Sequence, residues 1–324
     1  MPSPCANTPA DLPSEHTLTT SDSALNGKPM IASNIFDTAL VLEGGGMRGA
    51  YTAGVVTALL EEGLFFDHVS GISAGSSNTV NYLARDPQRI RFVFTDVAQD
   101  PRFGGWGSFL RGRGYFNVDF LYGTDAAFGD PFPFDWDTFQ RNPATMRIGV
   151  FDAVAGREHW LGKDAITTPE DLMRVVRSSS TLPLIMPSVH YQDTTWMDGG
   201  LGPDGGIALD AAIADGFEKF FVVLTRPRGY VKPPLSRQQR LAARALLAKY
   251  PAVADGMIYR PSRYNTVRRQ LEDLERRGQA YVFYPEDLNI SNIEHHPARL
   301  DDTFQAGLRQ ARAEAPRWHQ FLGV

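Results

Sequence analysis

The sequence predicts an α/β fold whose mainly parallel central sheet is flanked by helices, and three features predict it. Short apolar runs alternate along the chain with segments of helical period. One such run, TALVLE (38–43), passes through glycines straight into a helical pattern, AYTAGVVTALLEEG (50–63). A second, HVSGIS (68–73), does the same into AGSSNTVNYLARD (74–86).

The remaining elements follow in order. Residues 1–36 are rich in Ser, Thr, Pro, Asn and Asp and lack a positive segment followed by an apolar one, which predicts a flexible tail rather than a secretory signal. Residues 103–139 are crowded with aromatics, Gly and Pro and are expected to be irregular. The favoured reading there is rings packed beneath a long loop, with a lid, an acyl channel or contact with lipid as the alternative. TMRIGVFDAVAG (145–156) and REHWLG (157–162) read as strands. TPEDLMRVVRSSST (168–181) reads as a helix capped by Thr168, with Asp171 three residues on, close to a capping box. TTWMDGG (194–200) is a short strand, GIALDAAIADG (206–216) a helix, and KFFVVLTRP (219–227) a strand apolar enough to be buried on both faces. RPRGYVKPPLSR (226–237) reads as a linker, followed by helices near 236–249 and 262–278, a strand AYVFYP (280–285) and a last helix over 297–315. The expected organisation is a tail (1–36), an α/β core (37–230) and a C-terminal extension packed on it (231–324).

Composition bounds the function. With 43% hydrophobic and 21% charged residues among 324, the chain reads as an ordinary globular protein. A net charge of −5 argues against nucleic acid as a partner. Cys5 is the only cysteine, so no disulfide framework or cysteine-rich metal site is expected, and a reducing, cytoplasmic setting fits. No window holds 18 consecutive apolar residues, so a transmembrane helix is not expected, while peripheral membrane contact stays open.

The chemistry starts at VLEGGGMRGAY (41–51). The spacing of Gly44, Gly46 and Gly49 between a strand and a helix start builds an anion site from unpaired N–H groups and the helix dipole. That anion is either a cofactor pyrophosphate or an oxyanion formed during reaction. A dinucleotide fold needs an acidic residue ending the second strand. Asp67 instead precedes that strand, which ends in Gly71-Ile72-Ser73-Ala74-Gly75. G-x-S-x-G between strand and helix is the setting of a nucleophile elbow, and no cofactor or metal is called for. A serine needs a base. None of His16, His68, His159, His190, His295, His296 and His319 stands in a recognisable catalytic context. Asp198, ending TTWMDGG before Gly199 and Gly200, falls with Ser73 at a strand end, where functional groups of α/β sheets gather; a turn-forming Asp-Gly pair is its plainer reading. Arg48 opposes the helix dipole, so either an ion pair or a part in shaping the glycine turn is expected of it.

GGGMRG (44–49), GISAG (71–75) and DGG (198–200) coincide in order, and the chain thereby resembles the patatin-like phospholipase family. RSSSTLPLIMP (177–187) is similar to that family's Ser-rich segment, and PSRYN (261–265) through the last helix resembles a bacterial branch. The resemblance spans about residues 37–316. It implies a three-layer α/β fold and a Ser–Asp dyad without histidine, with Ser73 the nucleophile and Asp198 the base. It places the oxyanion hole at Gly44, Gly45, Gly46, Met47, Arg48 and Gly49, and the elbow at Gly71, Ala74 and Gly75. Lipid or another acyl ester is the implied substrate. Thr181, where the family usually carries Ala, is expected to narrow the pocket. Two alternatives stay open at this point: a Ser-Asp-His triad esterase using His295 or His296, and a nucleotide-binding module using the glycine loop.

Overall fold

The computed structural model describes residues 31–324 apart from 106, 109–110, 113–114, 124–128, 130 and 192. Cys5, His16 and the expected tail up to residue 30 lie outside the described residues, as do parts of FGGWGSFL (103–110) and GDPFPFDW (129–136). Packing begins before residue 37: Ile35 is buried and bridges Phe66, and the side chain of Asn34 donates to the carbonyl of Gly63 (2.7 Å).

One sheet organises the chain. Its strands are β1 (Thr38–Leu42), β2 (His68–Ile72), β3 (Thr145–Asp152), β4 (Arg157–Leu161), β5 (Val189–Tyr191), β6 (Thr194–Asp198), β7 (Lys219–Val223) and β8 (Ala280–Phe283). They run in the order β5-β6-β3-β2-β1-β7-β8, with β4 also on β3. The β3-β2-β1-β7-β8 block is parallel, while β4 and β6 pair antiparallel with β3, and β5 antiparallel with β6. β1 and β2 are buried along their whole length because helices cover both faces. Successive side chains of β1 serve opposite cores: Leu40 and Leu42 enter one, Ala39 and Val41 the other.

On the first face lie α1 (Gly49–Glu61), α2 (Ala74–Leu83), α3 (Pro87–Phe94), the short α4 (Val118–Leu121) and α5 (Trp136–Arg141), and α6 (Pro169–Ser180). The second face is covered by α7 (Leu209–Ala214) and, beyond the peripheral α8 (Arg237–Leu246), by α9 (Pro251–Arg276). α10 (Pro297–Leu322) returns to the first face against α1. The Thr168 capping box opens α6 as expected.

Three helices depart from the sequence reading. α7 starts at Leu209 rather than 206, since Gly206 has φ +117°, outside the helical region. α9 starts eleven residues earlier than expected: Pro251 occupies the first helical position, where no N–H is needed, and Pro261 is carried inside the helix. α10 runs past Pro316 to Leu322. An internal proline costs about 3 kcal/mol, but the turns beyond it bury Trp318 against Phe221 and Phe283 and bury Leu322 as well. Each such side chain stabilises by about 1.5–3 kcal/mol, enough to offset the break.

Candidate active site

Ser73 sits alone between the end of β2 and the start of α2, with φ 56° and ψ −124°. A side-chain-bearing residue in such a region costs of order 1–3 kcal/mol and persists only where its surroundings fix it. Here they do. A Cβ at Gly71 would lie 2.5 Å from the Gly75 carbonyl oxygen, and one at Gly75 would collide with the carbonyl of Leu42. The two glycines let the turn close on itself and on β1. The backbone N–H of Ser73 donates to Ser179 Oγ (2.8 Å), whose own hydroxyl donates to the Gly149 carbonyl (2.7 Å).

The glycine run lies directly alongside: a Cβ at Gly44 would be 3.1 Å from that of Ser73. Most of its N–H groups are engaged within the fold. Gly44 donates to Gly206 (2.9 Å), Met47 to Asn292 (3.0 Å), Arg48 to Gly45 (3.3 Å) and Gly49 to Gly46. The N–H groups of Gly45 and Gly46 donate to no described residue. Gly46, at φ 56°, is pressed against the Asn292 carbonyl, leaving no room for a side chain. Six residues were expected to line this turn; the open donors reduce to two, because the turn itself uses the N–H groups of Arg48 and Gly49, while Gly206 and Asn292 take those of Gly44 and Met47.

Asp198 reaches the same place by a route the sequence did not suggest. It ends β6, which runs antiparallel to β3, so it does not share the strand direction of Ser73. β4 occupies one edge of β3 from Ile148 to Asp152. β2 and β6 therefore share the other edge and meet end to end: Ile72 pairs with Gly149, and Asp198 with the next residue, Val150. Gly199 packs onto the Gly149 carbonyl, so close that a Cβ would collide with it. Asp198 is 1% exposed. Its Oδ1 accepts the N–H of Gly200 (2.8 Å), its N–H donates to the Thr181 carbonyl (2.9 Å), and its Oδ2 is buried without a partner among the described residues. Ser73 Oγ likewise makes no hydrogen bond to a described residue. The end of α6 thus holds both halves of the site, through Ser179 and through Thr181.

No described histidine hydrogen-bonds to Ser73 or Asp198. Burial pushes the His68 imidazole down to about 4, with Asp215 beside it at 3.4 Å. His159 packs on Trp196, His190 contacts Ser188 and Thr195, and His319 meets Glu62. His295 and His296 are exposed at the head of α10.

A cavity opens from Ser73, Gly46 and Met47 between α2, α3 and α6. Ala74, Ser77 and Asn81, on one face of α2, line it, so it follows that helix for about 12 Å at 1.5 Å per residue. Its walls are otherwise mostly apolar: Val80, Val93, Leu172, Val176, Leu182 and Met186, with Phe92, Phe94, Phe103, Phe116 and Phe134. In the aromatic stretch Phe103, Phe116 and Phe134 are buried, as the packing reading expects, and they also face the cavity. Thr181 does not line it; its hydroxyl turns back to the Arg177 carbonyl (2.7 Å), and the expected narrowing is absent.

The patatin-like phospholipase family model matches residues 40–212, more than half of the chain, with the glycine run, Ser73, Asp198 and the cavity helices α2, α3 and α6 inside the match. The chain belongs to that family. A model for a domain of unknown function, DUF6363, matches residues 250–323, covering α9, β8 and α10 of this patatin-like chain. An uncharacterized protein of Escherichia coli (strain K12), YjjU, is 27% identical over 191 residues, 58% of this chain and 52% of the relative. The chain thus spans about half the length of the curated relative it matches. Among solved structures, VipD from Legionella pneumophila aligns with a TM-score of 0.46 at 13% identity, over 89% of this chain and 67% of that one.

Three features of this patatin-like site were not visible in the sequence. Tyr122 lines the cavity; desolvation raises its phenol, with Asp198 acting in the same direction, so it stays protonated. A carboxylate nest lies behind the Asp198 turn: Glu158 presses on Gly202, and Asp204, fully buried, accepts the N–H of Asp210 (3.2 Å). Burial and then the charge of Asp210 push Glu158 up to about 8, and burial with Asp210 and Glu158 raises Asp204 as well. Arg48 is buried, and no ion pair holds it among the described residues, contrary to one of its expected roles. Burial, reinforced by Arg226 and opposed by Glu43, lowers it to about 10. Among the described residues no cluster of His, Cys, Asp and Glu could hold a metal, and no helix is long and apolar enough to cross a membrane.

Proposed function

We propose that this chain is a serine acyl-ester hydrolase acting on lipid esters through Ser73 and Asp198. The family supports lipid acyl hydrolysis in general, and the observation that carries the finer reading is the meeting of β2 and β6 on one edge of β3. Ser73 Oγ attacks the ester carbonyl while Asp198 Oδ2, buried and otherwise unpartnered, accepts its proton. The tetrahedral oxyanion forms against the open N–H groups of Gly45 and Gly46; each such donor is typically worth about 2.7–4 kcal/mol in kcat. Collapse expels the alcohol, which leaves with the proton from Asp198. Water then attacks the acyl-Ser73, Asp198 takes its proton, and the fatty acid departs as Ser73 is restored. A hydroxyl with no bond to its base before substrate arrives is compatible with this, because catalytic hydrogen bonds often tighten only in the substrate complex. The acyl chain occupies the cavity along α2.

The test is labelling by a fluorophosphonate probe of wild type, Ser73→Ala, Asp198→Asn and a His295→Ala/His296→Ala variant. Labelling should vanish in the first two variants and persist in the third. Loss in folded His295→Ala/His296→Ala protein would replace the dyad with a triad, and an unlabelled wild type would overturn the hydrolase reading.

A further inference from the structure

The loop that follows Asp198 has little stiffness of its own. Five of the eight residues 199–206 are glycine, with Gly205 at φ 64° and Gly206 at φ 117°, and glycine gives up more conformational freedom on folding than any other residue. Yet this loop aims the carboxylate. The Gly200 N–H donates to Asp198 Oδ1 (2.8 Å), and at the far end the Gly206 carbonyl accepts the N–H of Gly44 in the glycine run (2.9 Å). What fixes the loop comes from α9. Arg263 Nη1 donates to the Leu201 carbonyl (2.6 Å) and Arg260 Nε to the Gly205 carbonyl (3.0 Å). A Cβ on Gly205 would lie 2.6 Å from the Tyr264 nitrogen, and one on Gly256 3.1 Å from the Leu201 carbonyl oxygen. Gly256, Arg260, Arg263 and Tyr264 follow helical spacing, so they stand on a single face of α9, and that face is turned to the loop.

Arg260 does more than hold a carbonyl. Its Nη2 and Asp198 Oδ1 lie 2.6 and 2.8 Å from one point, the place a Cβ on Gly200 would take, so guanidinium and carboxylate are neighbours across that glycine. The same C-terminal stretch reaches the other half of the site. The Asn292 carbonyl, just ahead of α10, accepts the Met47 N–H (3.0 Å) and abuts Gly46. Glu294 fixes the segment that carries it: Oε1 accepts the N–H groups of His295 and His296 (3.0 and 3.1 Å), and Oε2 pairs with Arg299 on α10 (2.7 Å). The patatin-like match ends at residue 212 and the model that matches 250–323 names no function, so neither assigns these residues a role.

We propose that this C-terminal stretch completes the catalytic centre, with Arg260 and Arg263 as positioning residues that hold the 199–206 loop and so aim Asp198 at Ser73. On the hydrolase reading above, on which this role rests, Asp198 is the base. A misplacement of about 1 Å, even one caused far from the chemistry, can cost on the order of a hundredfold in rate. Neither arginine lines the acyl cavity, which lies with α2 on the opposite face of the sheet from α9. Loosening the loop therefore slows the reaction without weakening the hold on the acyl chain.

Two measurements on the full chain test this. Amide hydrogen exchange compares wild type with Arg260→Met, Arg263→Met and the double variant. Exchange across 199–206 and around Gly44 should quicken about tenfold or more in the double variant, while β1 and β2 stay protected. In hydrolysis of p-nitrophenyl butyrate, kcat should fall roughly ten- to a hundredfold in the double variant, with KM changed by no more than about twofold. Arg260→Lys and Arg263→Lys should recover part of the loss, and Arg269→Met, on the exposed side of α9, should leave both constants as they are. Fluorophosphonate labelling of the variants should slow yet still run to completion, which separates mispositioned protein from partly unfolded protein. Unchanged exchange in the loop, or faster exchange with unchanged kcat, would overturn the role. So would a lowered kcat traced wholly to a smaller labelled fraction. A wild type that neither hydrolyses nor labels would sink the hydrolase reading alone, because the exchange comparison still decides whether α9 holds the loop. Should the double variant melt far below wild type, the single variants give the same readouts.

Discussion

Ser73 and Asp198 converge on one point of the sheet from opposite directions. Ile72, just before the serine, pairs with Gly149, and Asp198 pairs with Val150, on the same edge of β3. Neither strand could continue without running into the other, so the site occupies the gap where both must stop. The backbone of β3 fixes the separation, and the side chains need only reach across it.

Ser179 is the clamp on this arrangement. Fully buried, it accepts from the Ser73 N–H and donates to the Gly149 carbonyl, joining the elbow to β3. Ser179→Ala leaves one buried donor and one buried acceptor unpaired, each costing about 1–3 kcal/mol. Thermal melts should show a clear loss of stability, and ester kinetics should show kcat falling more than KM rises, because the strained serine turn loosens while the cavity is untouched. Unchanged melting and unchanged kcat together would rule the clamp out.

The contrast between Ser73 and Asp198 shows what could be read in the sequence. GISAG between a strand and a helix states its own geometry: Gly71 is required by the Gly75 carbonyl four residues on, and Gly75 by the carbonyl of Leu42 at the end of the neighbouring strand. The α/β fold with its mainly parallel sheet was equally legible, because apolar strands and helical periods are local patterns. Asp198 could be placed at a strand end, but not on an antiparallel strand, since strand direction depends on pairing between residues nearly 50 apart in the chain. The narrowing of the open N–H groups to Gly45 and Gly46 depends in part on Gly206 and Asn292, more than 150 residues away, and no local pattern announces them. The prolines misled for the same reason: Pro316 reads as a stop until Trp318 is seen to be buried against β7 and β8.

The carboxylate nest behind Asp198 should govern stability against pH. Glu158 has an ordinary value of 4.5, raised to about 8 in the fold. Between those limits the folded protein holds a proton that the unfolded chain does not, so stability falls as pH rises through this window and is fully present only below it. Asp204, raised by burial, acts with the same sign. Glu158→Gln keeps the protonated shape at every pH. Its melting temperature should match wild type near pH 5 and exceed it near pH 8. Parallel melting curves for the two proteins across that range would show that the nest is not protonated.

Acyl-chain preference should follow the cavity wall. Val176, on α6, faces the same space as Ser77 and Val80 on α2, part-way along the 12 Å groove. Val176→Phe fills that space, while Val176→Ala widens it. Ring insertion into a packed wall costs about 1–3 kcal/mol, so melts must accompany the kinetics. Among p-nitrophenyl esters, the dodecanoate-to-butyrate ratio of kcat/KM should fall in Val176→Phe, because a short chain ends before the obstruction and a long one does not. In Val176→Ala the ratio should hold or rise, since a cavity already continuous with the groove adds room for the long chain. Equal losses for both esters in a well-folded Val176→Phe protein would mean that the acyl group lies elsewhere, and that the aromatic walls around Phe103, Phe116 and Phe134 serve packing alone.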